Sequence, residues 1–129
     1  MPLLSLEHVN VRTARLELSC SFYQNVLGLE RGPRPPFEFG GAWLYCGGKP
    51  AVHLVEVQAA TGGGAGLSLE HFAFAGSGLG EFLSHLRASG VEYRLTRLAG
   101  SGQHQVFLRD PDGNRLHVDF DASESEEIA

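Results

Sequence analysis

The sequence predicts an α+β fold of two tandem β-α-β-β-β modules, and three observations carry the prediction. Leu-Glu-His occurs at residues 6–8 and again at 69–71, each time inside an alternating run, SLEHVNV over 5–11 and SLEHFAF over 68–74. Alternation marks a strand with one buried face. Each run leads into a helical pattern closed by glycine. Equivalent landmarks then recur at a nearly constant offset: His8 and His71 are 63 residues apart, Gly28 and Gly90 are 62 apart, and His53 and His117 are 64 apart. One supersecondary unit is written twice.

In order, the first strand covers 5–11. A helix over 15–27 follows, with Leu16, Cys20, Tyr23 and Leu27 on one face, Leu18, Phe22 and Val26 beside them, and Gly28 as its cap. Residues 29–39 hold three prolines, so they read as an edge strand giving way to a loop. Strands over 42–46 and 51–57 are joined by Gly47-Gly48-Lys49-Pro50, a hairpin by composition. The second module repeats the order: a strand from 68, then a helix over 79–89 with Leu79, Phe82, Leu83 and Leu86 at i, i+3, i+4 and i+7. Strands over 92–98, 104–109 and 114–120 complete it, the last two joined by Asp110-Pro111-Asp112-Gly113, a turn in its preferred residues. The expected organisation is one domain over 1–121, made of modules 4–58 and 67–120. A Gly-rich linker lies at 59–66, and a disordered acidic tail at 122–129.

The chain has 129 residues, 43% of them hydrophobic and 19% charged, and this is ordinary globular composition. A net charge of -5 argues against nucleic acid and anionic membranes as partners. There is no apolar run of about 18 residues and no signal peptide at the start, so the expectation is a cytoplasmic protein. Two cysteines, Cys20 and Cys46, make no disulfide framework and read as small core residues.

The chemistry lies in the histidines. On a strand, His53 points away from Val52 and Leu54, and His117 and Asp119 point away from Leu116, Val118 and Phe120. Val9 and Val11 likewise leave His8 on the other face. If the apolar rows meet the helices, His8, His53, His71 and His117 line the open face, a nitrogen-rich set for one divalent metal such as zinc, nickel, cobalt, iron or copper. His85, mid-helix, is structural or solvated. His104, at the start of a strand, is a candidate substrate contact, as are Phe39, Trp43 and Arg94. Phe37 and Tyr45 extend a possible aromatic wall, and Arg34 and Arg109 extend a possible anion contact.

At these residues the chain resembles the vicinal oxygen chelate superfamily, which includes glyoxalase I, fosfomycin-resistance thiol transferases, extradiol dioxygenases and bleomycin-binding proteins. The resemblance rests on a histidine in the first strand of each half, on the helix ending Phe22-Tyr23-Gln24-Asn25-Val26-Leu27-Gly28-Leu29, and on Arg109-Asp110-Pro111-Asp112-Gly113-Asn114-Arg115. It implies a glyoxalase-like fold in which the two modules form a curved mixed sheet around a metal-binding cleft, with His8, His53, His71 and His117 as ligands to one Zn, Ni, Co or Fe ion. Where enzymes of this superfamily commonly carry glutamate, the chain has His117, and where glyoxalase I has one in the first half, it has His53. An all-histidine set lacks the carboxylate that would abstract a proton beside a carbonyl. Asp119 is the nearest replacement, as base or as partner to a ligand, because strand parity turns Glu56 away. The expected function is a metal-dependent lyase or isomerase that chelates vicinal oxygens of a small substrate and works as a homodimer. The alternatives are an iron dioxygenase using the same site and a non-catalytic protein that binds a drug or metabolite.

Overall fold

The computed structural model describes residues 2, 4–59 and 68–128. From residue 60 on, the expected Gly-rich linker lies outside them. The chain divides into two compact units, Met1–Gly62 and Gly63–Ala129, and each holds one β-α-β-β-β module. Among the described residues no helix is long and apolar enough to cross a membrane.

The first module runs β1 (Val9–Thr13), α1 (Leu16–Ser21) prolonged by a π-helical turn over Phe22–Val26, β2 (Glu30–Gly32), β3 (Gly41–Cys46) and β4 (Lys49–Glu56). Its sheet has the order β1-β4-β3-β2, with β1 parallel to β4 and the other pairs antiparallel. The second module runs β5 (His71–Ala75), α2 (Leu79–Ala88), β6 (Arg94–Arg97), β7 (His104–Arg109) and β8 (Arg115–Phe120), in the matching order β5-β8-β7-β6. In each, the parallel pair joins the strand before the helix to the last strand, a pairing that needs a long connection between its two members.

The first strand of each module starts later than alternation suggests. β1 begins at Val9, where Val9 pairs with Val52, so His8 lies just outside it, and Ser5, Leu6 and Glu7 are exposed. β5 begins at His71, opposite Arg115. The alternating residues before these points have no ladder partner, and pairing rather than pattern sets the limit.

In α1 the expected face is largely the buried one. Ser19, Cys20, Phe22 and Tyr23 are enclosed, while Leu18 is 52% exposed. The π turn, in which the Leu27 N–H donates to the Phe22 carbonyl at 3.3 Å, lets adjacent Phe22 and Tyr23 both reach the core. Gly28, at φ 78°, ends the helix, and the Leu29 N–H returns to the Tyr23 carbonyl at 2.9 Å. Leu44, Val52 and Leu54 present the apolar row that α1 covers. In the second module Leu79, Leu83 and Leu86 of α2 are buried, as are Val106, Leu116, Val118 and Phe120 of the sheet. Cys20 is buried, and desolvation raises its thiol pKa, but Cys46, expected in the core, is exposed at the end of β3.

The Gly47-Gly48 pair turns at φ 58° and 82°, and Lys49 and Pro50 already belong to β4. Asp110 organises its turn from a buried position: Oδ1 accepts the N–H of Asp112 and Asn114, and Oδ2 accepts the Asn114 amide at 2.8 Å. This accounts for the Asp110-Pro111-Asp112-Gly113 signature without any catalytic role.

The acidic tail departs from expectation. Its composition reads as disordered, yet Glu124 folds back so that its Oε1 accepts the N–H of Gly78 at 2.9 Å and of Leu79 at 2.7 Å. The tail thereby supplies the cap that Gly78, without a side chain, does not. It passes so close that a Cβ on Gly80 would collide with the backbone of Glu127. Glu124→Ala is expected to cost about 1 kcal/mol, read as a lower midpoint in urea with an unchanged slope.

Candidate functional site

The face of the second sheet turned away from α2 follows from register. His71 pairs with Arg115, Ala73 with His117 and Ala75 with Asp119, and on the next ladder Phe107 pairs with His117. Side chains at these positions share one face, while Leu116, Val118 and Phe120 take the other. The His117 ring lies 4.8 Å from that of His71 and 4.9 Å from that of Phe107, centroid to centroid. Ala73, directly opposite His117 on β5, presents only a methyl group on this face.

Carboxylates set the orientation of both rings. His117 Nδ1 donates to Asp119 Oδ1 at 2.6 Å, and His71 Nδ1 donates to Glu70 Oε1 at 2.7 Å. In the neutral ring a proton held on Nδ1 leaves a lone pair on Nε2, the arrangement by which outer carboxylates prepare histidines for a metal. The hydrogen bond from His71, with the charges of His71 and Arg115 and against some desolvation, holds the Glu70 carboxyl below its ordinary range.

The first module arranges its pair differently. His53, opposite Trp43 on β3, is buried between two flat neighbours: the Trp43 ring at 4.0 Å and 10°, and the His8 ring at 3.8 Å and 11°. Its Nε2 donates to the Pro50 carbonyl at 3.0 Å, which leaves the lone pair on Nδ1. His8 Nδ1 donates to Glu7 Oε1 at 3.1 Å. Both histidines stand where parity put them, but their rings are stacked face to face.

Burial pushes the His53 pKa down and the charge of His8 adds to this, while the Pro50 hydrogen bond and Glu7 oppose it. A lowered histidine pKa means that the unfolded chain binds more protons in the window between the folded value and about 6.5. The contribution of His53 is therefore complete above pH 6.5 and declines as the pH falls through that window. His53→Phe, which keeps a flat ring in the stack, is expected to flatten the fall in stability between pH 7 and 5, measured by urea unfolding in chelator.

The remaining candidates divide. Asp119 is committed to His117 and does not stand free as a base. Glu56 lies on the Leu54 side of β4, as parity requires. Trp43 shares the face of His53. Phe39 is half-exposed and stacks on Phe37 at 4.9 Å, with the Arg34 guanidinium 5.1 Å from the Phe37 ring centroid. Arg94 lies 4.8 Å over Phe107, on the histidine face. His104 is a correction: it belongs to the buried row with Val106 and Leu108, and its Nε2 donates to the Glu124 carbonyl at 2.9 Å, so it holds the tail and does not face this site. Glu70, Phe107 and Arg115 were not anticipated as site residues. Glu70 and Arg115 sit beside histidine motifs already singled out, whereas Phe107 is placed only by pairing with His117.

The sequence profile of the Glyoxalase/Bleomycin resistance protein/Dioxygenase superfamily matches residues 5–118. The chain belongs to this superfamily. A relative, Glyoxylase I 4 of Arabidopsis thaliana, is 30% identical over 123 residues, covering 90% of this chain and 70% of that protein. The glyoxalase-like fold is also that of two solved structures. A putative glyoxalase family protein from Bacillus anthracis matches with a TM-score of 0.78 at 24% identity, over 92% of this chain and 96% of that one. Lactoylglutathione lyase from Agrobacterium tumefaciens matches with a TM-score of 0.71 at 21% identity, over 93% and 96%.

Glyoxalase-superfamily proteins typically use a divalent metal, and the donor chemistry here bears on whether one fits. His71 and His117 suit it: two imidazoles on one face, each with Nδ1 on a carboxylate and Nε2 available. His8 and His53 also keep one ring nitrogen each, Nε2 and Nδ1, but in stacked rings. Among the described residues, no group of three or more His, Cys, Asp or Glu side chains is gathered closely enough to hold an ion.

Proposed function

We propose that this glyoxalase-superfamily protein is a divalent-metal-dependent enzyme of lyase or isomerase type acting on a small substrate with two neighbouring oxygens. In this reading His8, His53, His71 and His117 are the ligands, and zinc, nickel, cobalt or iron is the ion. The observation that carries it is the carboxylate-set pair: His71 and His117 are oriented by Glu70 and Asp119 with both Nε2 atoms available. A bound ion would supply Lewis acidity toward paired substrate oxygens. The chain's own contribution is to fix tautomers. Asp119 and Glu70 hold protons on Nδ1, which keeps the ligating nitrogens basic and the rings from turning. Since both carboxylates are engaged in this way, neither stands free as a base.

The stacking of His8, His53 and Trp43 favours a second reading, a flat-walled protein that binds a drug or metabolite without catalysis. Elemental analysis of protein purified without an affinity tag separates the two. The enzyme reading expects about one ion per chain; occupancy under about 0.1, with no uptake of added zinc, nickel or iron, sinks it. An iron-loaded protein that consumes oxygen would mark the dioxygenase variant of the same site. The proposal keeps the homodimer and cytoplasmic location expected from the sequence, and sedimentation velocity of the tag-free protein tests the first.

A further inference from the structure

Beside the histidine pair, the second module has a cleft of about 730 Å³ whose lining includes His71, Arg94, Phe107, Arg109 and Arg115. Arg109 and Arg115 stand directly opposite each other on β7 and β8. Like charges facing across a ladder are destabilising, and the chain as a whole is acidic, at -5. Three guanidinium groups nevertheless converge on one concavity. Two glutamates also line it, but Glu70 is already shared between His71 and, at 4.0 Å, Arg115. Among the described residues no ion pair joins Glu92 to an arginine, or engages Arg94 or Arg109. Arg94 lies over the Phe107 ring, which also borders His117.

We propose that this cleft binds a carboxylate group of the substrate, held in the fork of Arg109 with Arg94 beside it, the flat part of the molecule lying along Phe107 toward His71. A guanidinium presents two parallel N–H groups at the spacing of a carboxylate, and an unpaired arginine in a concave site retains both. The substrate class is then a small carboxylic acid, anchored apart from the oxygens that meet the metal. Only the identification of this ligand as the substrate rests on the enzyme reading above; the anion site itself does not.

Titration with succinate and with benzoate, followed by the arginine side-chain Nε–H resonances in NMR, tests it on protein stripped of metal and then dialysed free of chelator. Saturable shifts of the Arg109 and Arg94 signals are expected. Arg109→Ala should weaken binding about tenfold or more, with Arg109→Lys, which keeps charge without the fork, in between. Because Arg109 is exposed, the variants should retain the wild-type circular dichroism spectrum, and Arg94→Ala provides an independent loss. Unshifted arginine signals, or equal affinity in wild type, Arg109→Ala and Arg94→Ala, would overturn the proposal. So would inorganic phosphate binding more tightly than either acid. Binding that requires metal and ignores Arg109 would sink the cleft while sparing the metal reading; binding through Arg109 in a protein that never takes up metal would do the reverse.

Discussion

His117→Ala is expected to empty the proposed metal site while leaving the protein folded, with metal content falling from about one ion per chain to below a tenth and activity falling with it. The side chain removed has its Nδ1 on Asp119 and its Nε2 available beside His71, 4.8 Å away ring to ring. It lies on the face away from α2, so its loss opens no cavity among Leu116, Val118 and Phe120. Asp119→Ala tests the same arrangement one bond further out. Losing the carboxylate frees the ring to turn and to move its proton, and the expected cost is about 10–100-fold in metal affinity. A competitive zinc titration measures it. The opposite pattern, unchanged metal content with a lower unfolding midpoint, would mean that His117 and Asp119 are a structural pair.

The largest stability effect is expected at Phe120→Ala. Phe120 is 1% exposed at the end of β8, and its ring meets that of Phe82 on α2 at 5.6 Å. Removing a buried phenyl group loses its transfer energy and leaves a void that the surroundings fill only in part, about 3–5 kcal/mol. In thermal unfolding this corresponds to a drop of roughly 10–20 °C. Because Phe120 faces the helix and His117 faces away from it, the variant should keep its metal stoichiometry at temperatures where it is folded. Neighbouring positions on one strand would thus separate stability from chemistry.

Strand parity placed His53, His117 and Asp119 away from the apolar rows, and it turned Glu56 aside; the register bears out each assignment. The repeated offsets likewise predicted two modules of one order, and glycine marked both helix ends. These features were legible because each depends on a residue and its near neighbours: a period of two along a strand, a period near four along a helix, a positive φ that only glycine takes without cost.

What stayed illegible was set by contacts between distant parts of the chain. Nothing near Ser5 shows that β1 waits for Val52 before it starts, and nothing in the tail's acidic composition shows that Glu124 finds the two N–H groups of Gly78 and Leu79. The same limit applied to chemistry. Spacing named the four histidines as donors, but only the folded chain shows His71 and His117 set by carboxylates with Nε2 available, while His53 lies stacked between His8 and Trp43. By itself, the sequence determined which residues line each face of β4 and β8. The tertiary structure decided which nitrogen of each ring is available, because a proton's place depends on the acceptor that pairing brings to it.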